Sequence, residues 1–420
     1  MNHFLENFRL FFIFLRLGLT SFGGPVAHIG FFHEAFVQRR KWLSEQDYSE
    51  LVSLCQILPG PASSQIGMSI GLMRGGISGA LAAWLGFTLP SALFMTAFAF
   101  LLSNFQGYLS SALVRGLKLA AVAVVAQALI SMTKSLCPDL KRKLLACALA
   151  LPLIFFGMPI VQFAVIILGA CIGVFFLPEA IGAAHKSLLF KVPKRTALIC
   201  LSLLAAVLCL LPLTAGLGEN LFLTLFDKFF RAGAFVFGGG HVVLPLLASE
   251  FVEQKIVSKD VFLAGYGAAQ AIPGPLFSFA GFLGAASVLE ISTGAVQGIA
   301  AQRENGLFAA QLFNQWLPWA GAGVSLVAVF LPSFLLVIGA IPFWEKFKDF
   351  HAARRVITGI NAAVVGLLLA ALIHPVSSTA ITNSGDVSIV LLCLALLYFF
   401  RTPSWLIVLL SAALTSLAAA

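Results

Sequence analysis

Two stretches decide how this chain is built. The first runs Phe14-Leu15-Arg16-Leu17-Gly18, then Phe22-Gly23-Gly24-Pro25, and reaches Gln56-Ile57-Leu58-Pro59-Gly60-Pro61. The second runs Phe229-Phe230-Arg231-Ala232-Gly233, then Phe237-Gly238-Gly239-Gly240, and reaches Gln270-Ala271-Ile272-Pro273-Gly274-Pro275. Each sets an arginine and two Gly/Pro interruptions into otherwise lipid-compatible sequence. Glycine permits backbone geometry that a helix cannot use and proline removes an amide donor, so each interruption ends one helix and starts another.

The surroundings are those of a membrane. Of 420 residues, 60% are hydrophobic and only 10% charged, with a mean hydropathy of +0.99. Soluble domains carry roughly 25% charged residues. Runs such as Ala197–Leu213 and Ile160–Leu177 are long enough to cross a bilayer core as helices and lack the alternation of a barrel strand. The expected class is an all-α polytopic membrane protein whose main surroundings are lipid. The net charge is +9, but the basic residues sit in short loops beside apolar segments, which is a topology signal and not a nucleic-acid surface. Seven cysteines (55, 137, 147, 171, 200, 209, 393) are scattered without a CxxC, so neither disulfides nor a metal centre is expected. The N-terminus carries no cleavable signal pattern.

The two stretches belong to a longer internal repeat. Arg16, Gly18, Phe22, Gly23 and Gly24 match Arg231, Gly233, Phe237, Gly238 and Gly239 at an offset of 215 residues. Gln56, Pro59, Gly60, Pro61, Ser64 and Gly67 match Gln270, Pro273, Gly274, Pro275, Ser278 and Gly281 at 214. Leu89-Pro90-Ser91 matches Leu331-Pro332-Ser333 at 242, so the second copy has gained 28 residues around 290–316. Gly116 then matches Gly359, and Phe155-Phe156 matches Phe399-Phe400. The halves are 1–178 and 215–420, joined by a 179–214 linker whose residues 196–213 form a transmembrane helix.

Each half reads as six elements, in the first near 8–37, 47–74, 76–103, 113–132, 143–157 and 159–177. Lysine and arginine cluster in loops 133–143 and 178–195 of the first half and in 345–355 of the second, so matching loops fall on opposite sides. That predicts an inverted-topology repeat with its site at the repeat interface; two parallel halves without a special site is the alternative. Arg39-Arg40-Lys41-Trp42 favours interrupted elements that are re-entrant, which gives about nine crossings, against about thirteen if they span.

The chemistry expected at the interruptions is anion binding. A helix start exposes unpaired amides and about half a positive charge. Pro61 and Pro275 are placed as first helical residues, so the following amides and the hydroxyls of Ser63, Ser64 and Ser278 would face an oxyanion. Gly23-Gly24 and Gly238-Gly239 would let the chain approach it; packing kinks are the plain alternative. Arg16 and Arg231 lie about one turn before each Gly-Gly. A charge in mid-membrane costs at least ~2.5–3.5 kcal/mol, so each should meet a partner or a cavity, or snorkel outward. Lys118, matched by Asn361, is either a third cation or a helix-end lysine. His28 and His241 follow the Gly-rich breaks as proton carriers or as satisfied interhelical donors. Glu34 and Glu250 are expected at solvated helix ends. Gln56 and Gln270 should face inward, on an oxyanion or on a neighbouring helix. No paired acids or HExxH point to catalysis, and no Walker A sequence or cofactor motif is present.

With these motifs in place, the chain resembles the chromate ion transporter family in its long form, in which both halves are fused. The residues that carry the resemblance are Phe22-Gly23-Gly24-Pro25 with His28, Trp42-Leu43, Gln56 to Pro61 and Leu89-Pro90-Ser91. Phe237 to His241, Pro273-Gly274-Pro275 and Leu331-Pro332-Ser333 repeat them. The resemblance implies a bacterial inner-membrane exporter of chromate with sulfate as competitor. A coupled importer of sulfate or a related oxyanion is the other reading. A homodimer is the assembly entertained; the sequence does not fix it.

Overall fold

The computed structural model describes residues 3–104, 111–156, 159–177, 192–216, 220–237, 240–300, 307–344 and 350–419, and every regular element among them is helical. The first helix, α1 (His3–Thr20), ends where Gly23 takes a left-handed conformation with φ +99°. The next, α2 (Gly24–His33), has proline in its first turn and runs into a π-turn at Glu34–Arg39. A third, α3 (Glu45–Ile57), starts where the Ser44 hydroxyl accepts the Asp47 amide and stops at an extended Leu58 before Pro59.

The following helix, α4 (Ala62–Asn104), reverses at Gly75 and Gly76. Its two limbs touch backbone to backbone, so a Cβ on Gly71 would run into the Gly79 carbonyl. The first half closes with α5 (Ser111–Leu136), α6 (Leu140–Phe155) and α7 (Pro159–Phe176). The linker helix α8 spans Lys194–Gly216, around the expected 196–213.

The second half repeats the plan. Its first helix, α9 (Leu221–Phe235), precedes a short α10 (Val243–Leu247) and a π-turn at Ala248–Val252, at the position of the first π-turn. Then comes α11 (Lys259–Ala271), with Gly274 at φ +104° in the turn beyond it. A 3-10 turn at Leu276–Ser278 leads into α12 (Phe279–Ala300), which forms a hairpin with α13 (Leu307–Ala340). Gly284 and Gly321 meet there as Gly71 and Gly79 do in α4. The described residues of the gained segment continue α12 and α13, and 301–306 lie outside the described residues. The chain closes with α14 (His351–Ala371), α15 (Ser384–Phe399) and α16 (Ser404–Ala419).

The halves are interlocked reciprocally. In each, the first helix lies on the third element through a glycine: Gly18 on the Phe87 carbonyl, Gly233 on the Val329 carbonyl. The long helix α5 packs on α15 and α16, while its counterpart α14 packs on α6 and α7. Gly116 sits against Ala412, and Gly359 against Gly169 and Gly173. Small residues permit this closeness, which drives helix association where no hydrophobic effect operates. Lipid-facing positions such as Phe155, Phe175 and Leu213 stay exposed.

Among the described residues, five stretches are long and apolar enough to cross a bilayer: Ala62–Ser103, Ala112–Leu136, Lys194–Leu213, Trp316–Phe343 and Arg354–Ala380. The protein is an all-α polytopic membrane protein. The halves also differ in how their second elements pack. Helix α11 is wedged against α5 and α16, whereas α3 lies on α4 and is tied to the second half by the Trp344 indole, which donates to Glu50 at 2.6 Å.

Candidate functional site

The four interruptions converge. The Gly60 amide donates to the Val236 carbonyl at 2.6 Å, and the Gly274 amide donates to the Ser21 carbonyl at 2.9 Å. Ser21 and Val236 are themselves repeat-related, at the offset of 215. So each Pro-Gly-Pro turn bonds the residue that immediately precedes the Phe-Gly-Gly stretch of the other half. The side chains facing the two glycines are repeat-related as well. Gly60 faces the Ser333 hydroxyl, and Gly274 faces Ser91, whose Oγ would lie 2.8 Å from an added Cβ. Both glycines hold positive φ, +121° and +104°, which is why these turns need glycine.

His28 joins the pieces within the first half. Fully buried, it contacts the Ser21 carbonyl through Nε2 at 3.2 Å and the Ser63 hydroxyl through Nδ1 at 3.3 Å. A continuous path of contacts therefore runs from Gly274 to Ser21, His28, Ser63, and through the Pro59–Pro61 turn to Val236. His241 has a different place and bonds the Tyr266 hydroxyl at 2.9 Å.

The start of α4 is the polar end of this junction. Pro61 directly precedes the helix, and the Gln65 amide closes the first turn on the Pro61 carbonyl at 2.9 Å. The amides of Ala62, Ser63 and Ser64 precede that bond and have no carbonyl of their own helix to reach. The Gln65 side-chain amide donates to the Pro59 carbonyl at 2.7 Å and to Ser333 at 3.4 Å. Ser64 Oγ and Gln65 Oε1 in this first turn, and Ser21 Oγ and Thr88 Oγ1 beyond it, are buried without a hydrogen-bond partner among the described residues. Unsatisfied buried polar atoms are costly, which makes this helix start a candidate for a polar guest. The counterpart start at Leu276–Ser278 carries Phe277 and Phe279 where the first half has Ser63 and Gln65, and is apolar apart from Ser278 and the half-buried Gln270.

Other expected residues lie elsewhere. Gly238 and Gly239 fall outside the described residues. Gln56 is exposed, against the expectation that it faces inward, because α3 turns that side away from α4; Gln270 keeps a buried, unpartnered amide nitrogen. Arg16 is on the exposed side of α1. Lys118 pairs with Asp260 at 2.7 Å, at the opposite end of α11 from the Pro-Gly-Pro turn. It joins α5 to α11 and is not part of the junction.

Arg231 is held by Asp227 one turn back, at 2.5 Å. Beside it Lys228 pairs with Glu250 at 2.6 Å and bonds Gln254 at 2.5 Å. Glu250 is thus buried and paired, not at a solvated helix end, while Glu34 keeps a partly exposed pair with Arg39. Sequence reasoning missed Asp227 and Lys228. Their signal was three charges at i, i+1 and i+4 in an apolar helix, a spacing that pairs Asp227 with Arg231.

Residues 8–174 and 223–416 match the family model described as chromate transporter. The chain is 27% identical over 419 residues to the chromate transport protein of Cupriavidus metallidurans, covering 98% of this chain and 92% of that one. It is 26% identical to the chromate transport protein of Pseudomonas aeruginosa, over 89% of this chain and 82% of the relative. An uncharacterized transporter of Bacillus subtilis is 33% identical over 124 residues, which are 30% of this chain but 68% of the relative. No solved structure matches significantly.

Proposed function

Because the chain belongs to the chromate transporter family, we propose that it is a secondary transporter that exports chromate across the bacterial inner membrane. The observation carrying this reading is the meeting of both Pro-Gly-Pro turns with both Gly-rich breaks, beside a helix start with orphaned hydroxyls. A tetrahedral dianion placed there would receive amide and hydroxyl donors and the positive end of α4. Ser63, Ser64 and Gly60 with its flanking prolines would form the first wall. Gly23, Gly24, Gly274 and Ser278 would form the second. Sulfate, of the same shape and charge, is the proposed competitor.

The halves 1–178 and 215–420 are proposed as inverted copies, the reciprocal bonds being what such a pair would make when it closes. Export needs no nucleotide hydrolysis. An inside-negative potential favours exit of a dianion by roughly 4.6 kcal/mol per 100 mV.

The test is radiolabelled chromate uptake into everted membrane vesicles, where respiration makes the lumen positive. Uptake should be saturable, lowered by excess sulfate and lost when the potential is collapsed. Vesicles with and without the protein that take up chromate equally would end this reading.

A further inference from the structure

Beside the junction, the second half holds a buried quartet of charges to which nothing above gives a task. Asp227, Lys228 and Arg231 come from α9 and Glu250 from the π-turn after α10, with Asp227 only 5% exposed, Lys228 7% and Glu250 6%. The two pairs within it are not equally complete. Lys228 spans Glu250 and Gln254, and the Gln254 amide returns a bond to Glu250 at 3.0 Å. In the other pair, Asp227 Oδ1 and Arg231 Nε are both buried and without a hydrogen-bond partner among the described residues. The charged groups facing Asp227 are Arg231 and Lys228 of its own helix and Glu250, whose Oε1 lies 4.0 Å from Arg231. Packed opposite, α7 presents Gln162, which donates to the Pro245 carbonyl at 3.2 Å.

Arg231, Lys228, Glu250, Ser249 and Gln162 line a cavity of about 10 Å³, the space of about one water. Gln162 and Ser249 also line a neighbouring cleft of about 40 Å³ that extends to Glu253 and His374. Three of the four charged groups, Lys228, Arg231 and Glu250, therefore border a cavity, and Asp227 reaches it through its pair with Arg231.

We propose that Asp227 is a proton-binding site, and that its protonation releases Arg231 to attract the transported anion. The proposal rests on the transport reading above. The quartet is neutral when all four groups are ionised. A proton on Asp227 alone would leave a buried excess positive charge. An anion alone would meet two carboxylates. Each is costly by itself, and the two compensate each other when both are present. The coupling is reciprocal: the anion raises proton affinity as much as the proton raises anion affinity. No covalent step is involved; the proton moves onto Oδ1 or Oδ2 of Asp227 and the guanidinium stays charged.

The test is isothermal titration of sodium sulfate, and separately of chromate, into the purified full-length protein in two buffers of different protonation heat. The wild type should take up close to one proton per anion bound, and sulfate should bind more tightly as pH falls. Asp227→Asn should abolish the uptake, while Asp227→Glu and Glu250→Gln should keep it. Anion binding without proton uptake in the wild type overturns the proposal alone and needs no variant to fold. Uptake that survives in Asp227→Asn, or that disappears only in Glu250→Gln, also overturns it. Absence of any sulfate or chromate binding overturns both this proposal and the transport reading.

Discussion

The Gly60 amide donates to the Val236 carbonyl across 176 residues of chain, and the repeat-related Gly274 returns the same bond to Ser21. The junction thus depends on two glycines in left-handed geometry, and on what lies beside them.

Replacing Gly60 separates strain from crowding. At φ +121°, with the Ser333 hydroxyl and the Gln65 amide against its missing side chain, Gly60→Ala should cost roughly 3 kcal/mol and abolish chromate flux. Gly24 also has positive φ, +75°, but nothing lies within 4 Å of its would-be Cβ. Gly24→Ala should therefore cost only about 1 kcal/mol. Thermal melts of the two purified variants check the ranking, and equal losses would remove crowding as the cause.

Ser64 has a buried hydroxyl without a hydrogen-bond partner among the described residues. Ser64→Ala should leave stability unchanged or slightly raised, because no protein hydrogen bond is lost. Chromate flux should still fall by roughly tenfold, the worth of one hydrogen bond to an anion. Unaltered flux would take Ser64 out of the site.

The two repeat-related arginines should behave differently. Arg231→Ala leaves the buried Asp227 carboxylate facing Glu250 and should destabilise by roughly 3–5 kcal/mol. Adding Asp227→Asn to that variant should restore most of the loss. Arg16 is exposed and holds no pair among the described residues, so Arg16→Ala should shift stability by less than about 0.5 kcal/mol. Any effect of Arg16→Ala then appears in flux, and melting curves with flux assays on the same preparations separate the two.

Asp386 anchors the start of α15. Its carboxylate receives Arg115 of the first half at 2.6 Å and the Thr382 amide and hydroxyl, both at 2.8 Å, and its own amide donates to Asn383. Asp386→Ala should cost about 3 kcal/mol through loss of cap and pair together. Arg115 is 39% exposed, so Arg115→Ala should cost about 1 kcal/mol or less, and less still in high salt. Chemical denaturation of both variants at two salt concentrations checks this.

Much of the candidate site could be read before any coordinates. Gly60 and Gly274 stood out because a glycine between two prolines has few uses other than a forced turn. The repeat then told which turns were counterparts. His28 was singled out, but its link from Ser21 to Ser63 was not, because a bond to a backbone carbonyl leaves no trace in residue type. The apolar character of the second helix start was visible in Phe277 and Phe279, yet symmetry argued the other way. Glu250 was misplaced because its partner, Lys228, is 22 residues away and the two meet only when the π-turn folds over α9.

By itself the sequence determined the membrane setting, the doubled plan and the points where helices must break. These follow from composition and from glycine and proline, whose constraints are local. Tertiary structure alone decided which Pro-Gly-Pro turn bonds which half, that buried polar side chains gather at the first helix start while phenylalanines fill the second, and that Arg231 is paired while Arg16 is exposed. Those outcomes depend on how helices distant in sequence press together, and close packing through small residues leaves the choice of partner to shape.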